Sequence, residues 1–118
     1  MIEYTYDVQK LFLEMMLEDA SAYVRVQNIF NPENFDRKLK PTAEFIKHHS
    51  DEFKTMPDRA QISATTGVTL SAIPDLNEGH YDWFLEEFES FTRRQELERA
   101  ILKSADLLEK GDFDPVEK

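Results

Sequence analysis

The apolar residues near the start of this chain recur at the spacing of an amphipathic helix. Between positions 7 and 18 they lie three or four residues apart, which places them on one helix face. These residues are Val8, Leu11, Phe12, Met15 and Met16. Asp7 precedes them and is a favourable N-cap, so the pattern predicts a first helix from Asp7 to about Glu18. Asp19 or Ser21 then begins a second, short helix.

Helix-breaking residues are sparse, and each one marks a predicted boundary. The chain has three glycines and five prolines, and nowhere do apolar and polar residues alternate as they do in a half-buried strand. Asn31 followed by Pro32 predicts the N-cap and first position of a short helical turn. The pattern therefore indicates an all-α fold.

A longer helix is predicted from Pro41 to about Lys54. Its predicted buried stripe consists of Phe45, Ile46 and Phe53. Asp58 or Pro57 begins the next helix, and Gly67 is a favoured residue just past a helix end. The chain from there to position 78 is predicted to be irregular.

The stretch from His80 to Lys110 contains no breaker at all. A helix of this length is about 45 Å long, whereas a compact domain of this size has a radius of gyration of about 13–14 Å. We therefore expect the helix to protrude from a small bundle. Its apolar residues also change face, because Phe88 and Leu97 are nine residues apart, or about 180° around the axis.

The two faces of this helix are expected to have different partners. The first carries the predicted junction with the bundle, which consists of Trp83, Phe84, Phe88 and Phe91. The second carries a predicted oligomer interface, which consists of Leu97, Ile101, Ala105 and Leu108. Asp114 and Pro115 resemble the start of a further helix. We therefore expect one domain, with a globular bundle over 1–78, and with the long helix and the truncated start of its hairpin partner over 79–118. A frayed natural C-terminus is the alternative.

The composition narrows the possible functions. There are 24 acidic and 14 basic residues, a net charge of −10, so tight binding to nucleic acid is not expected. The absence of cysteine excludes disulfides and thiol chemistry. No Gly-rich phosphate loop occurs, no apolar run is long enough to span a membrane, and the N-terminus lacks the pattern of a signal peptide. We expect a cytoplasmic, non-catalytic domain that binds no cofactor and no metal.

One helix face carries a pattern that superficially resembles a metal site. Glu44, His48 and Glu52 lie at successive i,i+4 positions. Ligands in a row along one helix do not converge on a tetrahedral centre, so a solvated surface is the expected role. His49 is expected to be a partly buried packing residue beside Phe45.

The residues from 45 to 57, FIKHHSDEFKTMP, resemble the N-terminal domain of phage-type DnaB-like replicative DNA helicases. In that family a helix of the form I-K-x-H-x-x-E-[YF] is followed shortly by a proline that begins the next helix. The upstream aromatic Phe35 and the long helix carrying FTRRQELERAI, residues 91–101, fit the same order of elements.

The resemblance implies a helical bundle with a protruding helical hairpin. Hairpins pair between subunits, and the resulting dimers build the N-terminal collar of a hexameric ring in a bacterial or phage-infected cell. The collar docks primase and, in some systems, a helicase loader. ATP and Mg²⁺ belong to a separate motor domain, which follows in the family and is absent here.

A stand-alone small acidic phage protein is the alternative. Such a protein would mimic DNA or capture a host protein through its negative surface. A reading frame that continues past Lys118 into a phosphate-loop motif would distinguish the collar domain from this alternative.

Overall fold

Five α-helices and two short 3₁₀ helices form the chain in the computed structural model, which describes residues 3–110 and the side chains as far as residue 105. No strand occurs in that range, so the predicted all-α fold is confirmed. The α-helices are α1 (Tyr6–Glu18), α2 (Ala20–Val26), α3 (Lys40–Phe53), α4 (Arg59–Thr66) and α5 (Glu78–Lys110). The 3₁₀ helices are Gln27–Ile29 and Pro32–Asn34. The helix start predicted at Asp114 lies outside the described residues.

Most helix boundaries follow the capping residues predicted from the sequence. The Asp19 side chain caps α2 by accepting a hydrogen bond from the Ser21 N–H at 3.0 Å. Asn31 caps the 3₁₀ helix that begins at Pro32. Asp58 and Gln61 form a reciprocal capping box at the start of α4. Gly67 ends that helix with a φ of 78°, a left-handed conformation that glycine adopts without strain.

Two predicted helix starts are wrong by about two residues. The N-cap of α1 is Thr5 rather than Asp7, because the Thr5 hydroxyl accepts from the Val8 N–H. Asp7 instead lies in the first turn, where the helix dipole favours a carboxylate. The long helix begins at Glu78, and Asn77 and His80 exchange hydrogen bonds across its first turn. The backbone N–H of Asn77 donates to Nδ1 of His80 at 3.0 Å.

The core is built around the aromatic side chain of Phe12 on α1. Its ring is fully buried and lies 5.4–6.2 Å, centroid to centroid, from five other aromatic rings. These belong to Tyr4, Trp83, Phe84, Phe88 and Phe91. Aromatic side chains bury more apolar area than other residues, and tilted and edge-to-face arrangements such as these are their preferred geometry. The first half of α5 is thereby fixed against α1.

The predicted buried stripe of α3 is wrong at one of its three positions. Ile46 is fully buried and Phe45 partly so, but Phe53 is 59% exposed. The helix ends at Phe53, because Lys54 adopts a left-handed conformation with a φ of 60°. The residues of α3 that are buried beside Ile46 are Thr42 and Ala43, whose small side chains allow a close approach to the rest of the bundle.

The predicted irregular segment between α4 and α5 is held by carboxylates on α1. Glu14 accepts a hydrogen bond from the Ser71 N–H, and Glu18 accepts one from the Ile73 N–H, both at 2.8 Å. Glu18 also forms an ion pair with Arg59. These contacts give a loop without regular structure a fixed path across the bundle.

A buried tyrosine on α2 lacks a hydrogen-bond partner. Tyr23 is 1% exposed, and within the described part of the chain its hydroxyl makes no hydrogen bond. Burial, and then the Asp51 carboxylate, raise the pKa of the Tyr23 phenol above its ordinary value of 10.0, while the nearby Ser50 side chain opposes this rise. The folded state therefore keeps this proton at a pH at which the unfolded chain has lost it.

We expect Tyr23→Phe to leave the free energy of unfolding at pH 7 unchanged or to raise it by up to about 1 kcal/mol, because an unpaired buried hydroxyl is removed. Above pH 10 the wild type loses stability as the pH rises through the raised pKa of Tyr23, and the variant is expected to lose less. Urea unfolding at pH 7 and above pH 10 measures both effects. A variant that is clearly less stable at pH 7 would show that the hydroxyl has a stabilising partner.

Candidate interaction surface on the long helix

The first half of α5 belongs to the core. Phe84, Phe88 and Phe91, three of the residues predicted at the junction with the bundle, are at most 1% exposed. Trp83 is partly buried, and its ring lies 5.9 Å from that of Phe12. The rings of Phe84 and Phe88 stack along the helix at 5.6 Å.

A set of polar contacts marks the place where α5 leaves the bundle. Gln95 donates to the backbone carbonyl of Asn34 at 2.8 Å, and Arg99 donates to the Asn34 side chain. The guanidinium of Arg94 lies 4.6 Å from the centre of the Tyr4 ring. Asn34 is 1% exposed, so the exposed residue Arg99 reaches back from α5 to a buried amide.

From residue 96 to residue 105 α5 is exposed to solvent, and Arg99 is the residue of this part that hydrogen-bonds back to Asn34. Leu97 is 61% exposed and Ile101 57%, and Ala105 is also exposed. Leu108, the fourth residue of the predicted interface, lies on the helix, but its side chain is outside the described set. The molecule measures 59 × 32 × 23 Å, and α5 itself spans about 50 Å.

The polar contacts also fix which way the exposed residues face. Leu97 and Ile101 each lie two residues from Arg99, which corresponds to about 200° around the helix axis. Because Arg99 points at the bundle, these two side chains lie on nearly the opposite side of α5. Leu102 is three residues from Arg99 and so lies about 60° from the bundle-facing side. It is 68% exposed because the bundle ends before reaching it.

The surface around Ile101 is suited to contact with another helix. A shallow depression of about 390 Å³ is lined by Ile101 and three small residues, Ala100, Ser104 and Ala105. Small side chains allow a second helix to come close, and a large apolar residue beside them supplies buried area. Exposed apolar side chains gathered on one face in this way are typical of interaction sites.

The residues of the pattern resembling a metal site occupy an exposed edge of α3. His48 and Glu52 form an exposed pair at 3.0 Å. No group of three potential metal ligands occurs among the residues that the structure describes. His49 is partly buried between Phe45 and Phe53, with ring centroids at 5.7 and 4.7 Å. Its predicted packing role is thus confirmed.

In comparisons with known proteins, no family model, no curated protein and no solved structure matches this chain. Between residues 3 and 110, none of the helices combines the length and the apolar character needed to cross a membrane.

The residues that orient α5 could not be found from the sequence. Asn34 was predicted only as part of a short turn, and its contacts with Gln95 and Arg99 span 61 and 65 positions. The polar run from Thr92 to Glu96 was the one available signal, because it separates the two apolar faces of the helix.

Proposed function

We propose that this chain is the N-terminal collar domain of a hexameric replicative DNA helicase. In this role it is a non-catalytic assembly module that pairs with a second subunit through α5 and docks primase or a helicase loader. The observation that carries the proposal is the second half of α5, where Leu97 and Ile101 are more than half exposed and face away from the bundle. An apolar helix face of this kind is stabilised when another helix covers it.

The resemblance to phage-type DnaB-like helicases supports the same role. The stretch that carries it, residues 45–57, begins within α3 and ends at the proline before α4. The second stretch, residues 91–101, begins at the last buried phenylalanine of α5 and ends in the exposed face. ATP hydrolysis and strand translocation would then belong to the motor domain that follows in that family.

The expected association is concentration-dependent. Fully burying one leucine or isoleucine side chain contributes about 1.5–3 kcal/mol. Leu97 and Ile101 from two copies together contribute about 6–12 kcal/mol. This is comparable with the cost of association, so a weak dimer is expected rather than a permanent one. Two-fold pairing is the most common closed arrangement of identical chains. We therefore expect this chain on its own to form a weak dimer.

Replacing Ile101 by aspartate is expected to abolish this dimer. Burying an unpaired carboxylate costs several kcal/mol, whereas an association of micromolar affinity is worth only about 8 kcal/mol. Helical content by circular dichroism is expected to change little, because Ile101 lies beyond the bundle. Sedimentation equilibrium of the wild type and of the variant over a range of concentrations measures the effect.

Leu102→Asp is the matched control for this experiment. Leu102 is adjacent to Ile101, belongs to the same helix and is slightly more exposed, but it faces about 100° away. The control is expected to associate like the wild type. A wild type that stays monomeric at high concentration, or an Ile101→Asp variant that associates equally well, would contradict the proposed pairing.

The helicase assignment has a separate test. In the proposed role, the gene encodes a phosphate-loop motif downstream of Lys118, in the motor domain. A complete reading frame without such a motif would favour the stand-alone acidic protein, which is consistent with the net charge of −10.

A further inference from the structure

A groove runs between α2 and the first half of α5, on a part of the molecule distant from Ile101. It consists of two adjoining depressions of about 470 and 560 Å³. Both are lined by Arg25, Asp82 and Leu85, so they form one continuous feature, which we call the α2–α5 groove. Its length along α5, from Glu78 to Glu89, is about 16 Å, or three helical turns.

Three apolar side chains lie among the polar residues that line the α2–α5 groove. Leu76 and Leu85 lie in it together with Ile29, and each of these side chains is only partly buried against the core. They are therefore accessible from the groove. A partner side chain placed there would gain buried apolar area at once, without any rearrangement of the bundle.

The rim of the groove is acidic. Five carboxylates line it, against the single guanidinium of Arg25. They belong to Asp19, Glu78, Asp82, Glu86 and Glu89. In the described part of the chain, no cationic side chain forms a salt bridge with Glu78, Asp82 or Glu86. Glu89 has one exposed partner, Arg93, at 3.5 Å.

The position of these carboxylates is only partly explained by the helix itself. Glu78 lies in the first turn of α5, where negative charge interacts favourably with the helix dipole. Asp82 and Glu86 lie one and two turns further on, beyond the reach of that effect, and are four residues apart. Like charges at this spacing repel each other and weaken the helix slightly. A cation from outside the chain would remove the repulsion.

We propose that the α2–α5 groove docks a lysine- and arginine-rich amphipathic helix of a partner protein. Successive rim carboxylates at four-residue spacing are about 6 Å apart along α5, which is the spacing of cationic side chains at i,i+4 on a helix lying alongside. The apolar face of such a helix would cover Leu76, Leu85 and Ile29. An apolar centre with a charged rim is the usual anatomy of a protein–protein interface.

Other occupants fit the groove less well. A nucleic-acid backbone would be repelled by the rim carboxylates. The residues after 110 in this chain contain three acidic side chains and one basic one, so they do not complement the rim either. A second copy of the chain would bring its net charge of −10 directly against the rim carboxylates, whereas pairing through the apolar face around Ile101 leaves the two acidic rims apart. The inference rests on the proposed docking role, for which it specifies the surface and the chemistry of the partner.

The experiment uses a fluorescein-labelled peptide of 18 residues, with leucines on one helix face and lysines on the other. Fluorescence anisotropy at low ionic strength is expected to show saturable binding to the wild type. The double variant Asp82→Asn/Glu86→Gln is expected to bind about five- to tenfold more weakly, because two charge pairs are lost. The same peptide with glutamates in place of lysines is expected not to bind.

The matched control is Glu44→Gln/Glu96→Gln, which removes the same charge from exposed positions outside the groove. It is expected to weaken binding by less than twofold. Equal weakening by both double variants would show binding by overall charge and would overturn the proposal, as would an absence of saturable binding. A spin label on the peptide is expected to broaden the amide signals of groove residues. Broadening confined to residues 96–105 would also overturn the proposal.

The same titration on Ile101→Asp separates this inference from the proposed pairing through α5. Binding at wild-type affinity to this variant supports the groove, whatever the oligomeric state of the wild type. Loss of binding in this variant alone would place the peptide on the second half of α5 and overturn the assignment. A wild type that is monomeric but binds the peptide would contradict only the pairing.

Discussion

Replacing Phe12 by alanine is expected to lower the free energy of unfolding by about 3–5 kcal/mol. The Phe12 ring is fully buried, and five aromatic rings surround it, so its removal leaves a cavity that cannot easily collapse. Small domains are typically stable by about 5–15 kcal/mol, so the variant would keep only part of its stability. Urea unfolding monitored by circular dichroism measures the change.

Phe53→Ala is the control, because it deletes the same side chain from an exposed position. Phe53 is 59% exposed and contacts His49 at the edge of the bundle. Its loss is expected to change the free energy of unfolding by about 0.5 kcal/mol or less. Similar effects of the two substitutions would mean that the aromatic core is not centred on Phe12.

Replacing Gln9 by methionine is expected to cost about 2 kcal/mol, although the two side chains have nearly the same size. Gln9 is 5% exposed. Its Nε2 donates to the Tyr4 carbonyl at 2.8 Å, and its Oε1 accepts from the Asp36 N–H at 2.6 Å. Methionine fills the same space but leaves both backbone groups unpaired. The decrease in the free energy of unfolding therefore measures the loss of hydrogen bonds rather than a loss of packing.

Gln27→Met, at an exposed position, is the control for the same exchange. It is expected to change stability by about 0.5 kcal/mol or less. If Gln9→Met changes the free energy of unfolding as little as Gln27→Met does, water replaces both hydrogen bonds. The Gln9 side chain would then not stabilise the contact between the N-terminal residues and the segment before α3.

The sequence was sufficient to predict the elements whose signals are local. Asp19, Asn31, Asp58 and Gly67 act within four residues of themselves, so their residue types alone indicate where helices begin and end. The long helix was predictable from the absence of breakers, and the change of its apolar face from the spacing of Phe88 and Leu97.

What could not be predicted depends on contacts between distant parts of the chain. Phe53 continues an apolar pattern on α3, and only the packing of the bundle shows that it is left exposed. Gln9, Glu14 and Asn34 are polar residues that the fold buries. Each makes a hydrogen bond to a residue 27–65 positions away in the sequence, and such a partner cannot be identified from local sequence patterns. The sequence pattern of the carboxylates in the α2–α5 groove is that of an ordinary solvated helix face. Only the fold shows that α2 and the apolar side chains of Leu76, Leu85 and Ile29 lie beside them.

The continuity of α5 has a mechanical consequence. The helix passes from the core into solvent without a break, and from Phe91, its last buried phenylalanine, to Lys110 it extends for about 28 Å. A tilt of about 10° within the bundle would therefore displace the far end sideways by about 5 Å. The hydrogen bond from Gln95 to the Asn34 carbonyl lies near the point where α5 leaves the core. A small shift of the Pro32–Asn34 helix would be amplified at the far end into a sideways displacement of any helix packed there.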